Sequence, residues 1–551
     1  LFFFRYGSFI GESSPPFIVT SSSVPMHRHA DRSDCQCARG EELCLLRYSC
    51  LSSSPPTTKH GACQRLSTVM TYRRLFSYVG IGRELMRTAA HKLLASALVF
   101  LVAIAVRLTF ILLLGSEQRL YDSNFDQNIY IDIARNLLEG RGFSVSYDIF
   151  VASSNRPTSI QPPVYPFMLA SVFALFGENY LLVRLVQILM SAAICVCVYH
   201  IGKRTMGEKA GIIAGIVTAF YPALVMYVRP LTTEILFALL LSLATLLLIK
   251  YVQQLWRPVH YMAWGGVLSI AFLLRPEVLV FAALSTAFIV AWTIRYRQRS
   301  VRSLMSGLML TAAICLLTIM PWALRNLDVH GELLFTANKR WAIWEAYWLR
   351  YMREANPDWM EGKDCNHELE CAIPDFDQMT ELERDRYAVA LASDFIRAHP
   401  LVAMRYAVSQ LLVSYPLIPR EELPPPLGYK GERQRPEDGF DYTSLDDHPT
   451  YERIPEKLRV WSFRLIFALA ILGCVIAVRR RVWIVLLPML PVIANMITAL
   501  LLSGKERYRI SIDQFLVLTS VYALSVLFVW FRSKMQHYGW KVFPTPDVRE
   551  Y

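Results

Sequence analysis

Along the chain, apolar residues gather into repeated blocks of roughly 20, the length a helix needs to cross a bilayer core of about 30 Å. Blocks such as "LLASALVFLVAIAVRLTFILLL", "EILFALLLSLATLLLIKYV" and "VWIVLLPMLPVIANMITALLL" are apolar all round. They are too long for ordinary amphipathic helices and lack the alternating polarity of barrel strands. The pattern predicts an all-α polytopic membrane protein with about ten spans. They fall near 93 to 115, 180 to 200, 209 to 228, 231 to 251, 258 to 275, 277 to 294, 303 to 323, 458 to 478, 482 to 502 and 511 to 531. Two shorter, Pro-flanked apolar stretches, 162 to 177 and 400 to 417, are either spans or surface helices.

Basic residues decide between these. With both stretches on the outer surface, "GKRTMGEK", "KYVQQLWR", "RYRQRSVR", "RRR" (479 to 481) and "RSK" (532 to 534) all fall on the cytoplasmic side, as the positive-inside rule requires. Counting 162 to 177 as a span would place the four arginines of "RYRQRSVR" outside. Both stretches are therefore expected as juxtamembrane helices. The expected organisation is a tail (1–90), a membrane block (91–323) containing an outer loop (116–179), a large extracytoplasmic loop (324–457), a second membrane block (458–534) and a cytoplasmic tail (535–551).

Composition changes little in this picture. The 551 residues are 54% apolar and 19% charged, with a net charge of +12, but the cations cluster beside the apolar blocks, where lipid headgroups and orientation account for them. No nucleic-acid motif accompanies them. The first 90 residues hold five of the eleven cysteines, Cys35, Cys37, Cys44, Cys50 and Cys63, in spacings that fit no zinc motif. A disordered tail, or residues upstream of a start at Met70 or Met86, is the expected reading, with a zinc or disulfide module as the competitor.

The exceptions to the charge rule point to chemistry. Arg184, Arg229, Arg275, Arg325, Lys339, Arg340, Lys505, Arg507 and Arg509 map to the outer side, where Lys and Arg should be scarce. Snorkelling accounts for any one of them. Together they suggest an anionic ligand at the membrane surface, and a lipid-linked phosphate fits. In "DSNFDQNIYIDIAR", helical periodicity puts Asp126, Ile129, Tyr130, Ile133 and Leu137 on one face, with Asn128, Asp132 and Arg135 on the other. Asp126 thus sits on the apolar side. It is either a helix-capping acid after Ser123 or a reactive carboxylate. Asp122 is the competing acid, and Asp132 reads as an ordinary solvated carboxylate. Arg107, inside the first span, needs a partner, either a lipid phosphate or an acid such as Glu234. The Trp- and Tyr-rich stretch from 340 to 360 reads as an interfacial belt, with sugar stacking as the alternative. Cys365 and Cys371 are candidates for a disulfide, whereas Cys195, Cys197, Cys315 and Cys474 read as small apolar residues.

The order of "FDQNIYIDIARNLLEGRGFS", "QPPVYPFMLASVFALFGENYLLVRLVQ", "RPLTTEILFALL", "LLRPE", "PWALRNLDVHGELLFT" and "ERYRISIDQFLVL" resembles the GT-C superfamily of membrane glycosyltransferases, from about residue 93 to 531. The nearer resemblance is to the branch of protein O-mannosyltransferases, lipid A aminoarabinose transferases and polyprenyl-phosphate-sugar transferases. It implies a multi-pass cell (inner) membrane protein with a periplasmic active site, or an ER membrane protein with a luminal one. Asp126 with Tyr130 matches the D-x-x-x-Y setting of the family's loop acid. Gln127 stands where the D-E form has a second acid. "PPVYP" matches the second juxtamembrane helix, and "KERYR" the basic element before the last span.

The function so implied is inverting transfer of a sugar from a polyprenyl-phosphate donor to an acceptor glycan, lipid or protein. Asp126 would be the base, made more basic by an apolar setting. Arg229, Arg275, Arg325, Lys505 and Arg507 would hold the donor phosphate, with Tyr130, Arg184 and Glu234 in support. The lipid-phosphate-linked sugar is a substrate; no zinc-ligand cluster or nucleotide-binding loop is expected, and a divalent cation is the one candidate cofactor. Membrane lipids are the remaining partners. A transporter or flippase would share the spans and the anionic ligand but predicts repeat halves and broken midplane helices. A non-catalytic polyisoprenoid-binding scaffold would need the cations without the base.

Overall fold

The computed structural model describes residues 93–113, 125–147, 152–254, 256–296, 300–336, 341–356, 359, 368–416, 450–502, 504 and 506–537. Contacts divide the chain into Leu1–Gly80 and Ile81–Tyr551, and the described residues all belong to the second unit. The expectations for the N-terminal tail and its cysteines, and for Asp122, Ser123, Lys339, Arg340, Cys365 and Lys505, lie outside the described residues.

The helices, in chain order, are α1 (Leu93–Leu113), α2 (Phe125–Leu138), α3 (Val164–Phe176), α4 (Tyr180–Met206), α5 (Glu208–Phe220), α6 (Pro222–Met226) and α7 (Glu234–Gln253). There follow α8 (Pro258–Phe272), α9 (Val278–Tyr296), α10 (Val301–His330), α11 (Trp341–Trp344), α12 (Arg350–Ala355), α13 (Glu368–Ala372), α14 (Glu381–Ala398) and α15 (Pro400–Ser414). The last four are α16 (Thr450–Arg479), α17 (Met489–Leu501), α18 (Glu506–Ile510) and α19 (Asp513–His537). Among the described residues the one β pairing is a bridge between Ser144 and Pro157. The all-α polytopic reading therefore stands.

Among the described residues, eight helices are long and apolar enough to cross a membrane. The other two expected spans are shorter helices, for local reasons. Tyr221 is pushed into an extended conformation by Pro222, which ends α5 after 13 residues and starts the short α6. Helix α8 is 15 residues long and ends ahead of Arg275-Pro276. Conversely, α10 runs past the expected end at 323 to His330 despite Pro321, and Gly331 closes it in the left-handed conformation. The two Pro-flanked stretches are the helices α3 and α15.

Packing pairs α4 with α5 and α7, α8 with α10, and α16 with α19. The α4–α5 hairpin turns at Gly207 (φ +94°), and Gly211 lies so close to α4 that a Cβ there would sit 2.5 Å from the Lys203 amide nitrogen. Arg107 answers its desolvation without an acid. Its Nε donates to Ser191 Oγ (2.7 Å), and Nη1 to the carbonyls of Ala103 and Ala219 (3.1 Å each). Helix carbonyls and a hydroxyl thus stand in place of Glu234, one of the two partners expected for it. The aromatic stretch packs on itself: Trp344 is fully buried and stacks on Trp348 (5.6 Å), against which Trp359 lies edge-on (5.7 Å). Cys371 is disulfide-bonded, and Cys195, Cys197, Cys315 and Cys474 are free.

Candidate active site

Helix α2 carries Asp126 in its first turn, where a carboxylate is favoured by the helix dipole. The rest of α2 is fixed by burial and by hydrogen bonds. Ile129, Tyr130, Ile133 and Ala134 are buried, and Tyr130 meets Tyr165 of α3 edge-on at 5.0 Å. Gln127 is also buried, and its Oε1 accepts a hydrogen bond from the Leu231 amide (2.8 Å), tying α2 to the segment that leads into α7. Gln127 thus reads backbone at the position next to Asp126.

Asp132 is not solvated, as the helical wheel suggested. It is buried and accepts a hydrogen bond from the Ser146 amide (2.7 Å), because the chain after α2 folds back over that face. Asn136 joins the same fold-back, donating to the Ser144 carbonyl (2.8 Å). A wheel gives the direction of a side chain but not what later covers it.

Asp126 faces a cation. Arg507 of α18 donates from Nη2 to Asp126 Oδ2 and, at 3.3 Å, to the Tyr508 hydroxyl. Both partners of the ion pair are 24% exposed, so the pair lies at the rim of the protein interior. The expected apolar setting is therefore not what surrounds this carboxylate. Beside the pair, Arg275 lies over the Tyr508 ring (4.6 Å) and over the Phe237 ring (5.6 Å), and its Nη2 is 3.8 Å from Glu234 Oε1. The Tyr130 phenol is held well above its ordinary pKa, first by burial and then by Asp126, with Arg275 and Arg507 opposing. Asp126, Tyr130, Glu234, Arg275 and Arg507 thus form one electrostatic neighbourhood, and Tyr508 belongs to it.

The remaining cations have other partners. Arg325 donates to the carbonyls of Thr158 (2.7 Å) and Phe143 (3.1 Å), to Ser159 Oγ (3.2 Å) and to Asn326 Oδ1 (2.9 Å). Its guanidinium clamps the 143–159 segment to α10. Arg184 is buried and donates from Nε to the Arg229 carbonyl (3.2 Å), while Gln187 donates to the carbonyls of Val228 and Pro230. These bonds fix the turn around Arg229. Among the described residues, no group of three or more His, Cys, Asp and Glu side chains is placed to hold a metal ion.

Residues 160–324 match the family model described as dolichyl-phosphate-mannose-protein mannosyltransferase. The chain resembles the GT-C membrane glycosyltransferases. Arg184, Arg229, Glu234 and Arg275 lie within the matched segment, and Asp126, Arg325 and Arg507 outside it. No curated protein matches the sequence. Among solved structures, similarity is found to the archaeal oligosaccharyltransferase AglB of Archaeoglobus fulgidus in complex with an inhibitory peptide and a dolichol-phosphate (13% identity, 83% of this chain and 53% of that one, TM-score 0.44). The apo form of the Archaeoglobus fulgidus oligosaccharyltransferase gives 11% identity, the same coverage and a TM-score of 0.45. ArnT of Cupriavidus metallidurans bound to undecaprenyl phosphate gives 13% identity, 80% of this chain, 78% of that one and a TM-score of 0.34. The chain spans about half the length of the archaeal enzyme it matches.

A second ionic group escaped sequence reasoning. Arg459, Glu506, Arg509 and Asp513 pair with one another in the interior beside α18. Glu506, Arg509 and Asp513 stand at i, i+3 and i+7, a spacing that signals a helical ladder, but Arg459 comes from a distant helix and leaves no local trace.

Proposed function

We propose that the chain is an inverting membrane glycosyltransferase that moves a sugar from a polyprenyl-phosphate donor to a hydroxyl of an acceptor glycan, lipid or protein on the extracytoplasmic face. The observation that supports it best is the meeting of Asp126 and Arg507, next to an Arg275–Glu234 pair from the segment that matches the mannosyltransferase family.

In this reading the acceptor hydroxyl oxygen attacks the anomeric carbon and its proton passes to Asp126. The bond from that carbon to the phosphate oxygen breaks, and the electron pair leaves with the polyprenyl phosphate. Arg507 and Arg275 offset the charge that develops on the leaving oxygen. Lys505, outside the described residues, is given the same role from the sequence alone. Tyr130 supports the face of α2 that carries Asp126, and Arg184 supports the turn that carries Arg229. Arg325 acts as a clamp on the outer loop.

The test incubates the purified protein in lipid nanodiscs with a panel of polyprenyl-phosphate sugars and membrane extracts, and reads products by mass spectrometry. Transfer by the wild type and its loss in Asp126→Asn is the expected result. Wild-type turnover in that variant would remove Asp126 as the base. Lack of transfer from any donor, with translocation of a labelled lipid phosphate across a bilayer, would make the protein a flippase instead.

A further inference from the structure

Helix α18, which presents Arg507, has only five residues. A single turn has little stability of its own, so its direction must be imposed from outside. The ties come from the side opposite Arg507. Arg509, two positions on and about 200° round the helix, points into the interior. It is fully buried: Nη1 donates to both carboxylate oxygens of Asp513 (2.9 Å each), Nε to the Ser414 carbonyl (2.9 Å) and Nη2 to Glu506 Oε1 (3.2 Å). Its guanidinium also lies 3.5 Å from the centre of the Phe463 ring.

The other members complete the network. Asp513 Oδ2 accepts a hydrogen bond from the Tyr221 hydroxyl (2.8 Å), at the break between α5 and α6. Arg459 of α16 donates to both oxygens of Glu506. Two guanidiniums thus face two carboxylates, and α15, α16, α18, α19 and the α5–α6 break are tied to one point. Buried ion pairs are weak stabilisers, since apolar residues of the same volume hold helices together as well. What a forked guanidinium adds is direction, because its donors lie in one plane and accept only one arrangement of partners.

We infer that Asp513, acting through Arg509, is a positioning residue that sets α18 so that Arg507 is presented to Asp126 and to the donor phosphate. The inference rests on the role given to Arg507 under the proposed function. Asp513 bonds to Arg509 and Tyr221 and reaches Asp126 only through α18. Its effect on the site passes entirely through the orientation of α18.

The test measures binding of undecaprenyl phosphate to the purified full-length protein, with undecaprenol as the control for the phosphate. The variants are Arg507→Ala, Asp513→Asn, Tyr221→Phe and each of the last two combined with Arg507→Ala. Arg507→Ala should weaken phosphate-dependent binding about tenfold, and Asp513→Asn several-fold. In the Arg507→Ala background, Asp513→Asn should cause no further loss. A purely structural role would add its effect in both backgrounds, and that result, or unchanged binding in folded Asp513→Asn, overturns the inference. Tyr221→Phe removes one hydrogen bond to Asp513 and leaves its ion pair intact. It should weaken binding about twofold, again only when Arg507 is present. This variant decides the matter if Asp513→Asn does not fold, with additivity or unchanged binding counting against the inference. If Arg507→Ala alone binds like the wild type, the donor-phosphate reading of Arg507 fails and the inference falls with it, a result distinct from additivity.

Discussion

Asp126 and Arg507 stand 381 positions apart in the chain and meet as an ion pair. One guanidinium nitrogen, Nη2, serves the carboxylate and the Tyr508 hydroxyl together, so a phosphate arriving at Arg507 competes with Asp126 for the same donor. Replacing Asp126 by Asn removes the competing charge. Asp126→Asn should therefore bind undecaprenyl phosphate about two- to fivefold more tightly than the wild type, the scale of a partly exposed ion pair. The same variant should lose turnover by at least about 100-fold, the usual weight of a general base. A binding titration alongside a transfer assay checks both. Weaker binding in the variant would show that Asp126 and the phosphate do not share Arg507.

Glu234 and Arg275 are both nearly fully buried, and Oε1 of the acid lies 3.8 Å from the guanidinium. Glu234→Ala would remove the larger of the two carboxylate charges that compensate Arg275, the other being Glu277, at a cost of up to roughly 3–5 kcal/mol. Thermal unfolding in a fixed detergent should show a clear loss for Glu234→Ala, and the double change Glu234→Ala with Arg275→Met should recover much of it. Equal unfolding temperatures for the single variant and the wild type would contradict the pairing.

Gly504 lies where no side chain fits. A Cβ there would overlap the backbone carbonyl of Gln410 in α15, and the Gly504 amide donates to Gln410 Oε1 at 2.8 Å. Because α18 begins two residues later, Gly504→Ala should shift Arg507 and reduce undecaprenyl phosphate binding about tenfold or more, a shift of more than about 1.4 kcal/mol. Gly266→Ala is the matched control, since a Cβ at that position meets nothing within 4 Å. Its binding should equal that of the wild type. Similar behaviour of the two alanine variants would dismiss the steric argument.

The membrane helices were legible because an apolar block of about 20 residues has one main interpretation, whatever surrounds it. What escaped was set by contacts between distant segments. The wheel placed Asp126 on the buried side of α2, but Arg507, which it meets there, lies on the far side of the sequence. Asp132 looked solvated until the chain after α2 folded over it. Arg325 and Arg507 looked alike as outer-face cations, yet one holds loop carbonyls and the other a carboxylate. The break at Tyr221–Pro222 was visible as a dipeptide, whereas its use, to deliver the Tyr221 hydroxyl to Asp513, depends on a residue 292 positions away.

Glu381 gives a pH dependence with a definite sign. Burial pushes its carboxyl up from the ordinary 4.5 to about 7, against the opposing pull of Thr158, Ser159, Arg325 and Arg384. Its oxygens accept hydrogen bonds from Thr158 Oγ1 (2.9 Å) and the Ser159 amide (3.0 Å), so the group joins α14 to the outer loop. With the folded pKa above the unfolded one, the folded state binds the proton more strongly. The stability from this group is then fully present below about pH 4.5 and is lost as pH rises through about 7, to a total of about 3 kcal/mol. Hydrogen exchange at residues 158 to 160 and in α14 should accelerate between pH 5 and 8, after correction for the intrinsic rate. His330 shares Ser159 with this cluster, its Nε2 lying 2.8 Å from the hydroxyl, so a second variant is needed to assign the effect. Glu381→Gln keeps the size of the side chain and cannot ionise. It should hold protection constant across the range, and an acceleration that persists in Glu381→Gln would remove Glu381 as its source.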